Sequence, residues 1–185
     1  VSGMLALLKE GGTRRFKFYT QQKYELKLDF RFYNQDKAAK VDEAHFLFSG
    51  GTFNAEYNDK YDAKVINIPS DAKKIELATI ITGHGMSDPH NCAEFCDVNH
   101  IFKVNGNDFA FSFPQAGTST DCMDKAKSGT IPNQYGTWWY GRSGWCPGLE
   151  VPMVMTDITD VITLGEDNTF DYEAFFQGAP FTVGG

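Results

Sequence analysis

The sequence has no cluster of basic residues and no long apolar run. Its 185 residues include 17 Lys and Arg against 24 Asp and Glu, which gives a net charge of −7 at pH 7. An acidic chain without a basic patch is a poor partner for nucleic acid or for an anionic membrane surface. Because a helical span needs about 20 consecutive apolar residues, no membrane-spanning helix is predicted.

N-glycosylation sequons and long helical patterns are also missing. No asparagine is followed two positions later by serine or threonine. A turn of helix is predicted only at residues 4–9. Elsewhere the apolar residues alternate with polar ones in short segments that end at turn residues, which predicts an all-β fold built as an antiparallel sandwich. Strands are predicted around residues 14–20, 24–34, 45–48, 63–68, 73–82, 100–104, 109–113, 153–155, 158–164 and 169–176. The stretch Asn105-Gly106-Asn107-Asp108 predicts a hairpin turn.

The segment Tyr24–Asn34 has the clearest alternation in the chain. It places four apolar side chains on one face, and it follows a second alternating segment, Arg14–Thr20, so that the two predict a hairpin. These four side chains are Leu26, Leu28, Phe30 and Phe32. An uncovered apolar face invites association. We therefore expect another chain, a preceding domain or the main sandwich to cover residues 14–33.

Four cysteines allow three disulfide pairings. The pairing of nearest neighbours joins Cys92 to Cys96 and leaves Cys122 to join Cys146, where a bridge would close a long glycine-rich segment. Two disulfides indicate an oxidising compartment, so that the chain is predicted to be secreted or periplasmic. A four-cysteine zinc site is a weaker alternative, because such sites usually contain two closely spaced cysteine pairs.

The Cys92–Cys96 segment carries an acid, Glu94, at its centre. Disulfide partners have Cα atoms roughly 4.4–6.8 Å apart, whereas four residues of extended chain span about 13 Å. The three residues between the cysteines must therefore form a tight turn that fixes the direction of Glu94. Glu94 is a candidate functional residue on this ground, because the loop presents its carboxylate, and a merely solvated carboxylate in a closed loop is the alternative.

A long loop over residues 114–150 contains the second group of candidate residues. Trp138, Trp139 and Trp145 lie in a glycine-rich stretch together with Arg142. Aromatic rings stack on the flat apolar faces of ligands, sugars included, and a guanidinium binds hydroxyls or carboxylates through two fixed donors. The alternative is that these rings close the open end of the sandwich.

The histidines leave a copper site open as a third possibility. His84 lies two residues before Met86, and His100 follows the cysteine pair; histidine and methionine are copper ligands. A histidine hydrogen-bonded within the structure is the more common case. We therefore predict no cofactor and no metal.

Three motifs in combination resemble the peptide-N-glycosidase F family. They are Ile-Thr-Gly-His-Gly at 81–85, Asn-Cys-Ala-Glu-Phe-Cys at 91–96, and Arg-Ser-Gly-Trp-Cys-Pro-Gly-Leu-Glu-Val-Pro at 142–152. The resemblance implies a fold of two adjacent eight-stranded jelly rolls. It also implies hydrolysis of the amide bond between an N-linked glycan and asparagine. Residues 37–185 would be the second jelly-roll domain, and residues 1–36 would hold the last hairpin of the first.

The resemblance also assigns roles to residues of this sequence. Glu94 corresponds to a catalytic acid at the cleft between the two domains, and Arg142 and Trp145 correspond to the sugar-binding wall. His84 stands where the family has a tryptophan, and it joins Trp139 among the candidate substrate-binding residues. The two nearest-neighbour disulfides correspond to the bridges of the family's second domain.

Two departures from the family pattern bear on activity. The family's essential aspartate lies in the first domain and has no counterpart in this chain, and Gln21 stands where a second functional glutamate is expected. The resemblance thus predicts a glycoamidase domain that acts on N-glycans or glycoproteins with a companion domain or chain. A non-catalytic module for carbohydrate binding or extracellular assembly is the alternative, and a copper-dependent monooxygenase-like domain is the third hypothesis.

Overall fold

The structure is a computed structural model that describes residues 5–9, 11–19, 25–31, 41–85, 92–132 and 136–182. The chain forms two compact units, residues 1–46 and residues 47–185. Among the described residues, no helix has the length and apolar character that crossing a membrane requires.

In the described residues of the first unit there is one short helix, α1 (Leu5–Lys9). Its described residues 11–19 and 25–31 form no β-ladder, so the strands predicted at 14–20 and 24–34 are not found in those parts. The rings of Phe16 and Phe30 contact each other, with centroids 4.7 Å apart. A two-stranded hairpin has little stability without a surface to pack on, which accounts for the missing ladder. The division into domains at residue 36 stays a prediction.

The apolar side chains of this unit are exposed. Leu26, Leu28 and Phe30 are 59%, 45% and 37% accessible, and Phe32 lies outside the described residues. The chain or domain that would cover this face stays a prediction.

The second unit is built on antiparallel strands in two sheets. The described strands are β1 (Lys64–Asn67), β2 (Glu76–Thr79), β3 (Val98–Val104), β4 (Asn107–Phe111), β5 (Val154–Asp157) and β6 (Asp167–Phe176). One sheet has the order β1-β6-β3-β4 and the other consists of β2 and β5. The remaining regular structure is α2 (Asp121–Asp124) and short 3₁₀ turns at Asn58–Lys60, Ala126–Ser128 and Thr159–Val161.

Strand β6 is the longest strand described and pairs with β1 on one side and β3 on the other. In its C-terminal part, Phe170, Tyr172, Ala174 and Phe176 are buried while the intervening residues are partly exposed. One face of a strand packs on the core and the other does not, so this alternation fixes the register.

The turn between β3 and β4 has the conformation predicted for a two-residue hairpin loop. Asn105 and Gly106 both have positive φ, 49° and 80°, and Val104 pairs with Asn107 across the turn. Two-residue hairpins of type I′ require positive φ at both positions, which asparagine and glycine tolerate best.

The strand predicted at residues 158–164 is wrong. Ile158 is buried, but Thr159–Val161 forms a 3₁₀ turn. The Asp157 carboxylate accepts hydrogen bonds from both the backbone N–H and the hydroxyl of Thr159. Such local side-chain bonds to the backbone compete with strand pairing. The strand predicted around residues 45–48 is also not formed.

The two sheets share one core. Leu77 of β2 packs with Val104 of β3 and Phe170 of β6, and a second cluster places Cys92 against Val98 and Tyr172. The fold class is therefore the predicted one, an antiparallel jelly-roll β-sandwich with long loops and two disulfides.

Candidate functional site

The Glu94 loop lies between β2 and β3 in the sequence and ends shortly before β3 begins at Val98. Its cysteines, Cys92 and Cys96, are bonded with Cα atoms 5.6 Å apart, and Cys122 is bonded to Cys146. Both bridges have the pairing of nearest neighbours that the sequence favours. The first bridge closes the loop around Glu94, and Cys92 anchors that loop in the core.

Glu94 forms an ion pair with Arg142. Arg142 Nε donates to Glu94 Oε1 over 2.7 Å, and the side chains are 1% and 20% exposed for Arg142 and Glu94 respectively. The second carboxylate oxygen, Oε2, accepts a longer bond of 3.3 Å from the backbone N–H of Gly85. The carboxylate is thus held from two sides and still reaches the solvent.

Arg142 lies beneath the surface, and its donors are directed inward. Its Nη1 donates to the backbone carbonyl of Tyr140, and its Nη2 donates to Thr137 Oγ1. Its guanidinium carbon lies 5.0 Å from the ring centroid of Phe95 and 4.8 Å from that of Trp145. A buried charge needs such compensation. Arg142 therefore supports Glu94 from within the protein, and its part in the sugar-binding wall that the resemblance implies stays a prediction.

Trp145 joins the arginine to the loop at residues 83–85. Its indole N–H donates to the carbonyl of Gly83 over 2.7 Å. The exposed His84 ring lies 4.7 Å from the Trp145 ring, at an angle of 37°. The two rings form an aromatic surface next to the Glu94 carboxylate, because Gly85, the residue after His84, donates to that carboxylate.

Glycines allow the loops of the site to approach closely. A Cβ on Gly83 would lie 1.9 Å from the carbonyl oxygen of Ala93, and one on Gly144 would lie 2.0 Å from that of Ile81. Gly83 also donates its N–H to the Ser143 carbonyl over 2.9 Å. Gly83 is thus required for the close packing of these backbones.

The part of the sequence that forms this site matches a known protein family. Residues 52–180 match the model of the family described as "Peptide-N-glycosidase F, C terminal". The chain belongs to this family. The match covers well over half of the chain and includes the loop of Glu94 and the loop of Arg142 and Trp145.

Individual relatives agree with the family. The chain is 31% identical over 120 residues to peptide-N(4)-(N-acetyl-β-D-glucosaminyl)asparagine amidase F of Elizabethkingia miricola, a match that covers 62% of the chain and 31% of that protein. A crystal structure of a protein with the same amidase name, solved at 2.2 Å, has a TM-score of 0.51 and 31% identity, over 66% of this chain and 38% of that one.

A third comparison is with the structure of PNGase F, titled a glycosylasparaginase, from Flavobacterium meningosepticum. The TM-score is 0.50 at 26% identity, over 77% of this chain and 40% of that one. The match to the curated amidase of Elizabethkingia miricola spans about a third of that protein's length.

Trp139 lies in the same long loop as the arginine but away from the carboxylate. Its ring contacts in the described part of the chain are with Trp138 and Tyr140, at centroid distances of 6.1 and 5.6 Å. The Tyr140 ring in turn lies 6.1 Å from Phe95. Trp139 thus reaches the site through intermediate rings, and its role in substrate binding stays a prediction.

The copper hypothesis finds no support in the described residues. There, one group of three His, Cys, Asp or Glu side chains has its ligand atoms within 4.8 Å of one another: Asp121, Cys122 and Cys146. Both cysteines are consumed in a disulfide. Met86 lies outside the described residues, and His100 is buried and bonded to Tyr172.

Phe95 and Thr137 contribute to the site, although the sequence analysis did not select them. Phe95 faces the guanidinium, and Thr137 accepts one of its bonds. Phe95 could have been recognised from its position next to Glu94 in the Cys92–Cys96 loop. Thr137 carried no signal, because its contact depends on the path of a long loop.

Proposed function

We propose that the chain takes part in hydrolysis of the amide bond between an N-linked glycan and asparagine, and that Glu94 is its catalytic residue. The observation that carries the proposal is the position of Glu94. The Glu94 carboxylate of this chain is held by Arg142 and by the backbone N–H of Gly85, and the Glu94 side chain is still 20% exposed.

Glu94 would act through its free acceptor sites. An ionised carboxylate has about four lone-pair positions on its two oxygens, and Arg142 and Gly85 use one on each oxygen. The remaining positions can accept a hydrogen bond from a water molecule, an amide N–H or a sugar hydroxyl. A fixed acceptor of this kind orients the reacting group and favours proton transfer in the transition state.

The glycan would bind against the rings next to this carboxylate. His84 and Trp145 present faces beside Glu94, and such faces stack on the apolar side of a sugar ring. Arg142 is 1% exposed, and each of its three side-chain nitrogens donates a hydrogen bond within the protein. We therefore assign Arg142 to positioning Glu94 and leave direct sugar contact to the two rings.

A companion domain would complete the site. Amide hydrolysis requires a proton to leave the attacking water and another to reach the departing amine, a task for more than one group. The relatives extend well beyond the matched region. The exposed Leu26, Leu28 and Phe30 offer a surface for that companion. With two disulfides, we place the protein in a secreted or other oxidising setting.

The experiment compares glycopeptide binding with glycan release. A glycopeptide with the two core N-acetylglucosamines on asparagine is titrated into the isolated chain, and release is followed by mass spectrometry. We expect weak binding without release. When a family first domain is added as a separate polypeptide or joined in one chain, we expect release that falls about 10²–10⁴-fold in Glu94→Gln.

The matched control is Glu150→Gln, since Glu150 is an exposed acid in the loop that carries Arg142 and Trp145. Release by the complete protein that is equal in Glu94→Gln and Glu150→Gln would refute the catalytic role of Glu94. Rapid release by the isolated chain would refute the need for a companion. Binding without release even in the complete protein would instead favour the glycan-binding module, the alternative that Gln21 suggests.

A further inference from the structure

A cavity of about 700 Å³ lies between the end of β2 and the inner face of the four-stranded sheet. Its volume falls within the range of roughly 300–1,000 Å³ that is usual for small-molecule sites. Ile80 and His84 line it on the β2 side, and Phe102 of β3 and Tyr172 of β6 line it on the other. The cavity belongs to the second unit and borders the Glu94 site at His84.

Phenylalanine and tyrosine rings form part of the cavity wall. Phe102 stacks on Tyr172 with centroids 4.7 Å apart, and Phe53 contacts Tyr57 at 4.5 Å. Phe53 also stacks on the buried Phe181 at 4.2 Å and 13°. Each of these wall rings therefore packs against at least one other aromatic ring. Sites for small organic ligands are commonly lined by aromatic side chains together with a few polar groups.

The polar part of the wall is a chain of three side chains. His100 Nδ1 lies 2.8 Å from the Tyr172 hydroxyl, which lies 3.0 Å from the Tyr57 hydroxyl. His100 is 4% exposed and lines the cavity. Its other ring nitrogen, Nε2, has no hydrogen bond to any residue that the structure describes.

Burial keeps His100 neutral. Desolvation lowers the pKa of its imidazole from 6.5 to about 4. In the neutral ring one nitrogen donates and the other accepts. Nε2 is therefore a donor or an acceptor according to how the two tyrosine hydroxyls are oriented, and in either case it has no partner among the described residues. Since His100 lines the cavity, a ligand bound there can supply that partner.

We propose that this cavity binds a flat aromatic group that carries a hydroxyl, with its ring against Phe53, Phe102 and Tyr172 and its hydroxyl on His100 Nε2. A hydroxyl both donates and accepts, so it fits either form of the imidazole. A carboxylate or an ammonium would place a net charge beside a neutral network, and the desolvation of that charge opposes binding. The ligand is either a free phenol or a tyrosine side chain of a polypeptide. The proposal does not depend on the glycoamidase function.

The first experiment measures binding of two fluorinated probes to the whole chain by ¹⁹F NMR. We expect 4-fluorophenol to bind about fivefold more tightly than fluorobenzene, since one hydrogen bond distinguishes them. In His100→Phe we expect that preference to disappear while fluorobenzene binding persists. Equal affinity of the wild-type chain for both probes, or no binding of 4-fluorophenol, would overturn the proposal.

A second pair of variants tests the location without changing the buried network. Gly50 lines the cavity, and a Cβ built on it has no atom within 4 Å. Its φ lies outside the left-handed range, so a side chain brings no backbone strain there. Gly50→Phe should reduce 4-fluorophenol binding at least tenfold, whereas Ala110→Phe, on the exposed part of β4, should not. Unchanged binding in Gly50→Phe would overturn the assignment.

A third arm identifies the source of the group. N-acetyl-3-fluorotyrosine amide is titrated under the same conditions. Binding of both the phenol and the tyrosine derivative, each weakened by Gly50→Phe, supports a polypeptide side chain as the ligand. Binding of the phenol alone supports a free small molecule, and binding of neither overturns the proposal.

Discussion

Two polar clusters in the same sandwich compensate for the loss of water in opposite ways. Glu94 and Arg142 carry opposite charges and form an ion pair of 2.7 Å near the solvent, whereas His100, Tyr172 and Tyr57 form a hydrogen-bonded chain in the interior. Burial raises the pKa of both tyrosines, that of Tyr172 to about 12, and lowers that of His100. The second cluster is therefore neutral at pH 7.

The difference reflects what each side chain can do when water is removed. A histidine can lose its proton, so burial without an ionic partner leaves it uncharged. An arginine stays protonated under all ordinary conditions, so Arg142 needs Glu94 and two ring faces to remain buried. The charged cluster thus depends on each of its members, and the neutral one depends on pH.

The largest effect is expected from removing the acid of the charged cluster. Glu94→Ala leaves the Arg142 guanidinium buried without its counter-charge, and loss of one partner of a buried pair typically costs about 3–5 kcal/mol. Urea unfolding of the whole chain measures the change in free energy. The double variant Glu94→Leu/Arg142→Met should recover most of the loss, and a double variant as unstable as the single one would contradict this account.

Acid is expected to destabilise the neutral cluster. Between pH 6.5 and about 4 the unfolded chain protonates His100 while the folded chain does not, so the unfolded state binds more protons and stability falls as the pH is lowered. The contribution is present above pH 6.5, and about 3 kcal/mol of it is lost by pH 4. Across this range the unfolding free energy, measured from denaturation curves, should depend more steeply on pH in the wild type than in His100→Phe. Identical slopes would contradict the burial of a neutral imidazole.

Loss of the Cys92–Cys96 bridge is expected to affect the charged cluster and to leave the neutral cluster unchanged. This bridge ties the Glu94 loop to the core beside Tyr172. Cys92→Ala/Cys96→Ala should cost about 2 kcal/mol, as expected for closure of a short loop. Amide hydrogen exchange should increase in the Glu94 loop and not at His100. Equal increases at both places would show that the bridge does not act locally.

The smallest effect is expected at an exposed ion pair. Lys125 and Asp121 lie 2.8 Å apart at i,i+4 spacing across α2, and their side chains are 44% and 21% exposed. Pairs of this kind contribute about 0.3–0.5 kcal/mol, so Lys125→Met should change the unfolding free energy by no more than that. A loss as large as that in Glu94→Ala would mean that burial is not what distinguishes the two ion pairs.

Local features of the chain were predictable from the sequence. The spacing of Cys92 and Cys96 predicted the closed loop around Glu94, and Asn105–Gly106 predicted the β3–β4 turn. Both depend on interactions between neighbours in sequence. The predicted strand at 158–164 failed for the same kind of reason, because the bonds between Asp157 and Thr159 outweighed the hydrophobic pattern.

Features that join distant parts of the chain were not predictable. The burial of Arg142 depends on a contact with Glu94, 48 residues earlier in the sequence. The need for Gly83 depends on the backbone of Ala93, and the partner of His100 lies 72 residues away on β6. No local pattern encodes such approaches. The resemblance to a family indicated the roles of residues, but their packing required the structure.

The central position of β6 has a consequence for the order of events during synthesis. Ribosomes make the N-terminal part first, so β1, β3 and β4 are complete before residues 167–176 emerge, and β1 pairs only with this last strand in the described sheet. Until then β1 and one edge of β3 are unpaired, a state that is prone to association. A nascent chain stalled before residue 167 would therefore hold the Glu94 loop and its disulfides but not a finished sheet, and it would depend on chaperones until the final strand arrived.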